Sequence, residues 1–202
     1  MVIHFGNPVM EHSTRSRILH AAALCFSGKG FNSTSIGDIA RRAGISQGAM
    51  YNHFSGKNAL IVAIVNDATD AALQAYREPY SGPALEHLCE LINSCVTKSG
   101  YPVEPRLWTE IISEAARNRD VNKAFVDADI AMRSALKNII VQGIELQEFR
   151  GIDPEEMSLI LFAILDGLLA RRAYMPEFSL QNHMTSLKSV IARILGVVPV
   201  LD

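Results

Sequence analysis

The chain has 202 residues, a length that fits one or two small domains, and 49% of them are apolar. A sizeable core can therefore form without disulfides or a structural metal. Only three cysteines are present, which excludes a disulfide-rich secreted scaffold and predicts reduced thiols in a cytoplasmic protein. The N-terminus has neither a basic start nor a continuous apolar run, so we expect no signal peptide.

The net charge of −2 hides an uneven distribution. Residues 1–60 carry six basic and two acidic side chains, whereas residues 61–202 carry 13 basic and 19 acidic ones. A basic N-terminal segment on an acidic body indicates a module that binds a polyanion. The longest apolar stretch, residues 157–170, is interrupted by polar positions and is too short to span a bilayer, so we predict no membrane contact.

Apolar side chains recur at spacings of three and four along the chain, which predicts an all-α fold of about nine helices. The first covers residues 13–27 and ends at two nearby glycines. Ser35 and Asp38 resemble a capping box at the start of the second helix, and Gly44 ends it. Ser46 caps a short third helix. The later helices are predicted at residues 57–78, 84–98, 105–118, 121–148, 154–174 and 179–195.

The short third helix lies in the stretch GISQGAMYNHFSGK, residues 44–57, which has few apolar positions and many hydrogen-bond donors. Gly44 supplies a left-handed turn, and Ile45 and Met50 pin the third helix onto the second. The remaining side chains are free to face a partner. Two short helices joined in this way form a helix-turn-helix, in which the second helix enters the DNA major groove. The small Gly48 then permits close approach to the bases.

Residues 13–60 resemble the DNA-binding domain of TetR/AcrR-type transcriptional repressors. The resemblance implies an N-terminal helix-turn-helix domain over residues 13–60, preceded by a flexible tail at residues 1–12. It also implies that residues 61–202 form a helical domain that binds a small effector and dimerises. The residues that carry the resemblance are Gly30-Phe31, Thr34-Ser35-Ile36, Ile39-Ala40, Ala43-Gly44-Ile45-Ser46, Met50-Tyr51, His53-Phe54 and Lys57.

The resemblance also implies roles for individual residues. Gln47 would reach base edges and can pair with adenine, while Tyr51 and His53 would contact phosphates. Many relatives have a basic residue in place of Gln47 and a threonine in place of Ala49, so the base preference stays open. Alternatively, Tyr51 fills the core and His53 is an ordinary surface histidine. The full implied DNA-binding set is Thr34, Ser46, Gln47, Gly48, Ala49, Tyr51, His53 and Lys57.

Bulky side chains occur in the helices that line the effector pocket in TetR-like relatives, although each can equally be ordinary core. Asp166 stands inside an apolar helix and needs a partner because an unpaired buried charge is costly. That partner is an arginine of the other subunit, a donor within the bundle, or a cationic effector. We expect a lipophilic effector, with cations included. The predicted ligand-binding set is Trp108, Ile112, Met132, Phe162 and Asp166.

Two further predictions concern assembly and the competing classes of protein. Residues 157–170 are apolar nearly all round, which predicts a homodimer through the last two long helices and hence a palindromic operator. The alternatives are a helical interaction module that binds no operator, and an enzyme. No nucleophile elbow, phosphate loop or zinc motif is present, and His87 and Cys89 diverge on one helix. We therefore predict no catalytic residue, no metal and no cofactor.

Overall fold

The structure is a computed structural model that describes residues 13–97 and 104–197. These residues form helices and connecting turns, so the predicted all-α fold is confirmed. The predicted tail, residues 1–12, and most of the predicted loop at residues 99–104 lie outside the described residues. The helices are α1 (Thr14–Lys29), α2 (Ile36–Ala43), α3 (Gln47–Tyr51), α4 (Lys57–Arg77), α5 (Ala84–Thr97), α6 (Pro105–Ala115), α7 (Arg119–Glu145), α8 (Pro154–Tyr174) and α9 (Met184–Ile194).

The described chain divides into two compact units. Unit 1 contains residues 13–71 and 104–128, and unit 2 contains residues 72–97 and 129–197. The resemblance implied that residues 61–202 form one domain. In the structure, the start of α4, all of α6 and the start of α7 belong with the N-terminal helices, because Leu107 and Ile111 of α6 are fully buried in the same core as α1.

Unit 1 is built on a continuous apolar core. Ile18 and Phe26 of α1 are fully buried, as are Ile39 of α2 and Ile61 of α4. Phe31, in the turn between α1 and α2, packs its ring 5.1 Å from that of Phe26. Burial of each large apolar side chain stabilises the folded state by about 1.5–3 kcal/mol. This core therefore holds the short helices α2 and α3 in place.

The predicted helix caps of unit 1 are present. Ser35 and Asp38 form the capping box, in which the hydroxyl accepts from the Asp38 amide and the carboxylate accepts from the Ser35 amide, each at 3.1 Å. The Asp38 carboxylate accepts from the Ser35 amide, from the Ser35 hydroxyl at 2.8 Å and from Lys29, and these bonds hold the pKa of Asp38 well below its ordinary value. Gly44 ends α2 in the left-handed conformation, with φ of 67°, as predicted.

Several predicted helix boundaries differ from the structure. α1 continues through Gly28 to Lys29 and is capped by Gly30. α6 ends at Ala115, because the next three residues form a turn whose Asn118 side chain accepts from the amide of Asp120 and so caps α7. The predicted last helix is split: a 3-10 turn, Leu180–His183, precedes α9.

In unit 2, α5 packs against α8, α9 and the 3-10 turn. Leu88, Ile92 and Val96 of α5 are buried. The first amide of α5, that of Ala84, donates to the Glu148 carboxylate at 2.7 Å, which satisfies one of the free donors of the helix N-terminus. Among the described residues, no helix combines the length and the apolar content that a bilayer crossing requires.

Candidate nucleic-acid interface and effector cavity

The α3 helix buries one side chain and exposes most of the others. Met50 is fully buried in the unit 1 core, whereas Tyr51 is 57% exposed. Ser46 caps the helix by accepting from the amide of Ala49 at 3.1 Å, which confirms the predicted cap. A helix of five residues with a single buried anchor cannot be stable alone, so its place in the structure depends on the elements that support it.

Two contacts outside α3 support the helix-turn-helix. The Arg17 guanidinium of α1 donates to the Ala43 carbonyl at 2.6 Å, where α2 ends. A charged donor at a helix C-terminus satisfies a free carbonyl and complements the helix dipole. The Arg15 guanidinium lies 5.8 Å from the centre of the Phe54 ring and 3.6 Å from Asp67. Neither arginine was predicted to have a role, although both lie on the first helix near its start.

Several residues of the predicted DNA-binding set are accessible. Gln47, Gly48, Tyr51 and His53 are exposed, and Ala49 is half-buried. Arg41 and Arg42 of α2 are also exposed, so basic side chains belong to the same helix-turn-helix. The exposed residues offer an amide, a phenol and an imidazole, and Gly48 adds no side chain, which suits contact with base edges and phosphates.

Two members of the predicted set have their polar groups engaged within the protein. Thr34 is only 2% exposed, and its hydroxyl donates to the carbonyls of Cys25 and Gly30 at 3.1 and 2.8 Å. The Lys57 ammonium donates to the carbonyls of Phe31 and Asn32 at 2.7 and 3.3 Å. The Thr34 side chain therefore holds the α1–α2 turn, and Lys57 keeps one of its three donors for another partner.

The peptide groups of Phe31 are held from both sides. The amide of Phe31 donates to the Glu110 carboxylate of α6 at 2.8 Å, and its carbonyl accepts from Lys57 of α4. The Lys57 ammonium also lies 4.6 Å from the centre of the Phe31 ring. A structural role for Glu110 was not predicted from the sequence, because its partner is a backbone amide 79 positions away.

Unit 2 contains a cavity of about 580 Å³, a size that suits a small molecule. The rings of Tyr80 and His87 stack there with their centres 4.3 Å apart. Burial lowers the pKa of His87 below its ordinary value, so the imidazole is neutral at pH 7. The polar groups that line the cavity include those of Tyr76, Tyr80, His87, Ser134, Asn138 and Gln142.

The predicted ligand-binding residues lie elsewhere. Trp108 and Ile112 belong to unit 1, where the Trp108 ring packs 5.5 Å from that of Phe125. Met132 and Phe162 are buried in unit 2, and Asp166 is half-buried there. None of these residues lines the cavity described above. Their assignment to the ligand stays a prediction.

The described residues contain no cluster of three or more side chains suited to a metal ion. Burial raises the pKa of the Cys89 thiol to about 11, so this group is protonated at pH 7 and is a poor metal ligand. The buried carboxylate of Glu114 is paired with the Arg117 guanidinium at 2.6 Å and accepts a hydrogen bond from the Asn118 side chain. This carboxylate closes the turn between α6 and α7.

Two families of known proteins match this chain, one near its N-terminus and one over its C-terminal part. The family described as "Bacterial regulatory proteins, tetR family" matches residues 18–64. A second family, described as "BetI-type transcriptional repressor, C-terminal", matches residues 85–196, more than half of the chain.

Individual relatives agree with these matches. The HTH-type transcriptional regulator UidR of Escherichia coli is 38% identical over 109 residues, which cover 54% of this chain and 55% of that protein. The matched region thus spans about half the length of that relative. The HTH-type transcriptional regulator TtgR of Pseudomonas putida is 26% identical over 185 residues, 81% of this chain and 82% of that protein. The structure of Salmonella enterica GusR superposes with a TM-score of 0.79 at 28% identity, covering 90% of this chain and 95% of that one.

Replacement of Lys57 by methionine tests the structural role of the ammonium. We expect the free energy of unfolding to fall by about 1–2 kcal/mol, because two hydrogen bonds from a charged donor are lost while the aliphatic stem remains. Urea denaturation of the purified protein measures this. Arg42→Met is the matched control, since it removes an exposed positive charge from the same unit. Equal losses in the two variants would contradict the tethering role.

Proposed function

The chain belongs to the TetR family of transcriptional regulators, and we propose that it is a repressor that binds an operator as a homodimer and leaves it when a small effector binds. The observation that carries this proposal is the exposed polar surface of α3, which is anchored by Met50 alone and faces away from the core. A helix that served only the core would bury more than one of its five residues.

In this proposal, α3 lies in the major groove and phosphates are contacted from its flanks. Gln47 and the backbone around Gly48 approach base edges, while Tyr51 and His53 contact phosphate oxygens. The Lys57 ammonium acts chiefly on the α1–α2 turn and has one donor left for a phosphate. Thr34 contributes through the turn that its hydroxyl holds.

The proposed operator is palindromic because one α3 helix reads only a few base pairs. Two copies related by a twofold axis would contact half-sites about 34 Å apart, one turn of B-form DNA. Such an arrangement requires a dimer whose two helix-turn-helix units have a defined separation.

We assign the dimer contact to α8 and α9. One face of α8 is buried within the protomer through Leu161, Phe162 and Leu165, while Leu159 on the same helix is 54% exposed. On α9, Val190 is 50% exposed. A helix that is apolar on two sides needs a second covering surface, and a second copy of the chain supplies one with the same composition.

We place the effector in the cavity of unit 2. The stacked rings of Tyr80 and His87 offer a flat surface, and the neighbouring amide and hydroxyl groups offer hydrogen bonds. This lining suits a small molecule that combines a planar part with several polar groups. Effector binding would release DNA if the effector binds more tightly to a conformation in which the two α3 helices no longer match the half-sites.

The alternatives make different demands on the molecule. If the protein were an interaction module that binds no operator, the exposed polar side chains of α3 would be unexplained. An enzyme requires a reactive group near a substrate, whereas members of this family are regulators without catalytic activity. Localisation in the cytoplasm, where the DNA is, belongs to the same proposal.

Selection of bound duplexes from a random library tests the DNA-binding proposal. We expect the wild type to select an inverted repeat whose half-sites are one helical turn apart. Tyr51→Ala should weaken binding to that duplex and to unrelated DNA by a similar factor, because the phenol is assigned to phosphates and not to bases. Leu146→Ala, which truncates another exposed side chain outside the helices, is the control. Failure of the wild type to select any sequence would contradict the proposal.

Analytical ultracentrifugation tests the dimer. We expect the wild type to sediment as a dimer at micromolar concentration and Leu159→Asp to sediment as a monomer, since a carboxylate on the apolar face of α8 would be buried without a partner. Leu146→Asp places the same group at another exposed leucine, outside the helices, and should leave the dimer intact. A monomeric wild type would exclude the assignment.

Thermal shift measurements with two probes test the effector cavity. We expect a neutral phenol to raise the melting temperature of the wild type, because a ligand that binds only the folded state stabilises it, and His87→Ala to remove this shift. Tetraphenylphosphonium, a lipophilic cation, tests the effector class predicted from the sequence. A shift that survives in His87→Ala but is lost in both Trp108→Ala and Asp166→Asn would move the site from the cavity to the predicted residues.

A further inference from the structure

Gly37 of α2 faces the first residue of α3. A Cβ atom at position 37 would lie 2.5 Å from Nε2 of Gln47 and 3.6 Å from its Cδ. Carbon atoms of side chains do not approach other heavy atoms to 2.5 Å, so the Gln47 amide occupies space that exists only because residue 37 is glycine. The nitrogen end of the amide is the end that faces Gly37.

The backbone gives no other reason for a glycine at this position. Gly37 lies within α2, and it is not among the residues with a positive φ. Glycine in a helix is less favourable than alanine because it loses more backbone freedom on folding. Apart from the Gln47 amide, the nearest atom to the missing side chain is the Ser35 hydroxyl at 3.7 Å, which an alanine would tolerate.

We propose that Gly37 determines the operator specificity of this protein by positioning Gln47. The inference rests on the proposed function, in which α3 is the recognition helix. A glutamine that reads adenine uses its oxygen and one N–H in a single plane. Contact with Gly37 limits the positions open to the Gln47 amide, and it restricts the rotation that a free glutamine would lose on binding.

Alanine at position 37 would disturb this arrangement at little cost to the fold. The atom in its way is the far end of a flexible and exposed side chain, so the Gln47 amide would swing out while α2 and the core stay in place. Gly37→Ala therefore changes the position of a reading side chain without changing its chemistry. The expected consequence is an altered base preference in a protein that is at least as stable as the wild type, since alanine favours the helix more than glycine does.

The test compares the wild type with three variants and one control on a selected duplex and its single-base variants. The operator is first selected with the full-length wild type, and dissociation constants are then measured for that duplex and for its single-base variants. The variants of the protein are Gly37→Ala, Gln47→Ala and the double variant. Gly28→Ala serves as the matched control, because it is the same substitution in a helix of the same unit and a Cβ there meets nothing within 4 Å.

We expect Gly37→Ala and Gln47→Ala to lose discrimination at the same base pair, by about tenfold, the range of one bidentate contact. The double variant should behave as Gln47→Ala alone, because a positioning residue has no effect once the positioned side chain is gone. Gly28→Ala should match the base preference of the wild type, and no glycine-to-alanine variant should melt below the wild type. In the free protein, the side-chain amide resonances of Gln47 should shift in Gly37→Ala.

Three results would overturn the inference while leaving the proposed function intact. These are a wild-type base preference in Gly37→Ala, an effect of Gly37→Ala that persists undiminished in the Gln47→Ala background, and unchanged Gln47 amide resonances in Gly37→Ala. A wild-type preference in Gln47→Ala would also overturn it, since Gln47 would then read no base. Failure of the wild type to select any duplex would overturn the proposed function, and the inference with it.

Discussion

The turn between α1 and α2 depends on the peptide groups of Phe31. Its amide is bound by Glu110, its carbonyl by Lys57, and its ring lies in the core beneath both. Thr34 closes the same turn from within. A surface turn would normally leave such groups to water. Here two distant helices bind them, so the start of α2, and through it α3, is set by α4 and α6.

This dependence explains how so short a recognition helix can be ordered. With one buried residue, α3 contributes little to its own stability. Arg17 holds the end of α2, the capping box holds its start, and Met50 fixes α3 to the core. These contacts with α1, α2 and the core thus compensate for the low intrinsic stability of an exposed, polar helix that contains a glycine. Apolar side chains that would stabilise α3 itself would take the place of the polar side chains that are available for contact with DNA.

The same helix that begins with Lys57 ends beside the cavity of unit 2, where Tyr76 contributes to the lining. α4 therefore contributes residues to both units. In the proposed function, an effector bound in unit 2 has to change the affinity of the helix-turn-helix for DNA. The requirement is a difference in affinity between two conformations, not a strong contact in either.

Local features of this protein were determined by the sequence itself. The helices, the capping box of Ser35 and Asp38, the left-handed Gly44 and the anchor Met50 all follow from spacing and residue type over a few positions. The exposure of Gln47, Tyr51 and His53 agrees with their implied role, because a helix with one apolar anchor must expose its other sides.

Only the tertiary structure decided which polar groups are already engaged. Thr34 and Lys57 belong to the DNA-binding set that the resemblance implies, yet both bind backbone carbonyls that lie elsewhere in the fold. Glu110 is indistinguishable in the sequence from a solvated helix carboxylate, and its partner is a backbone amide 79 positions away. The cavity follows the same rule: its polar lining comes from α4, α5, α7 and the turn between α4 and α5. Periodicity reports which face of a helix is buried, whereas the partner of each buried group is set by how the helices meet in three dimensions.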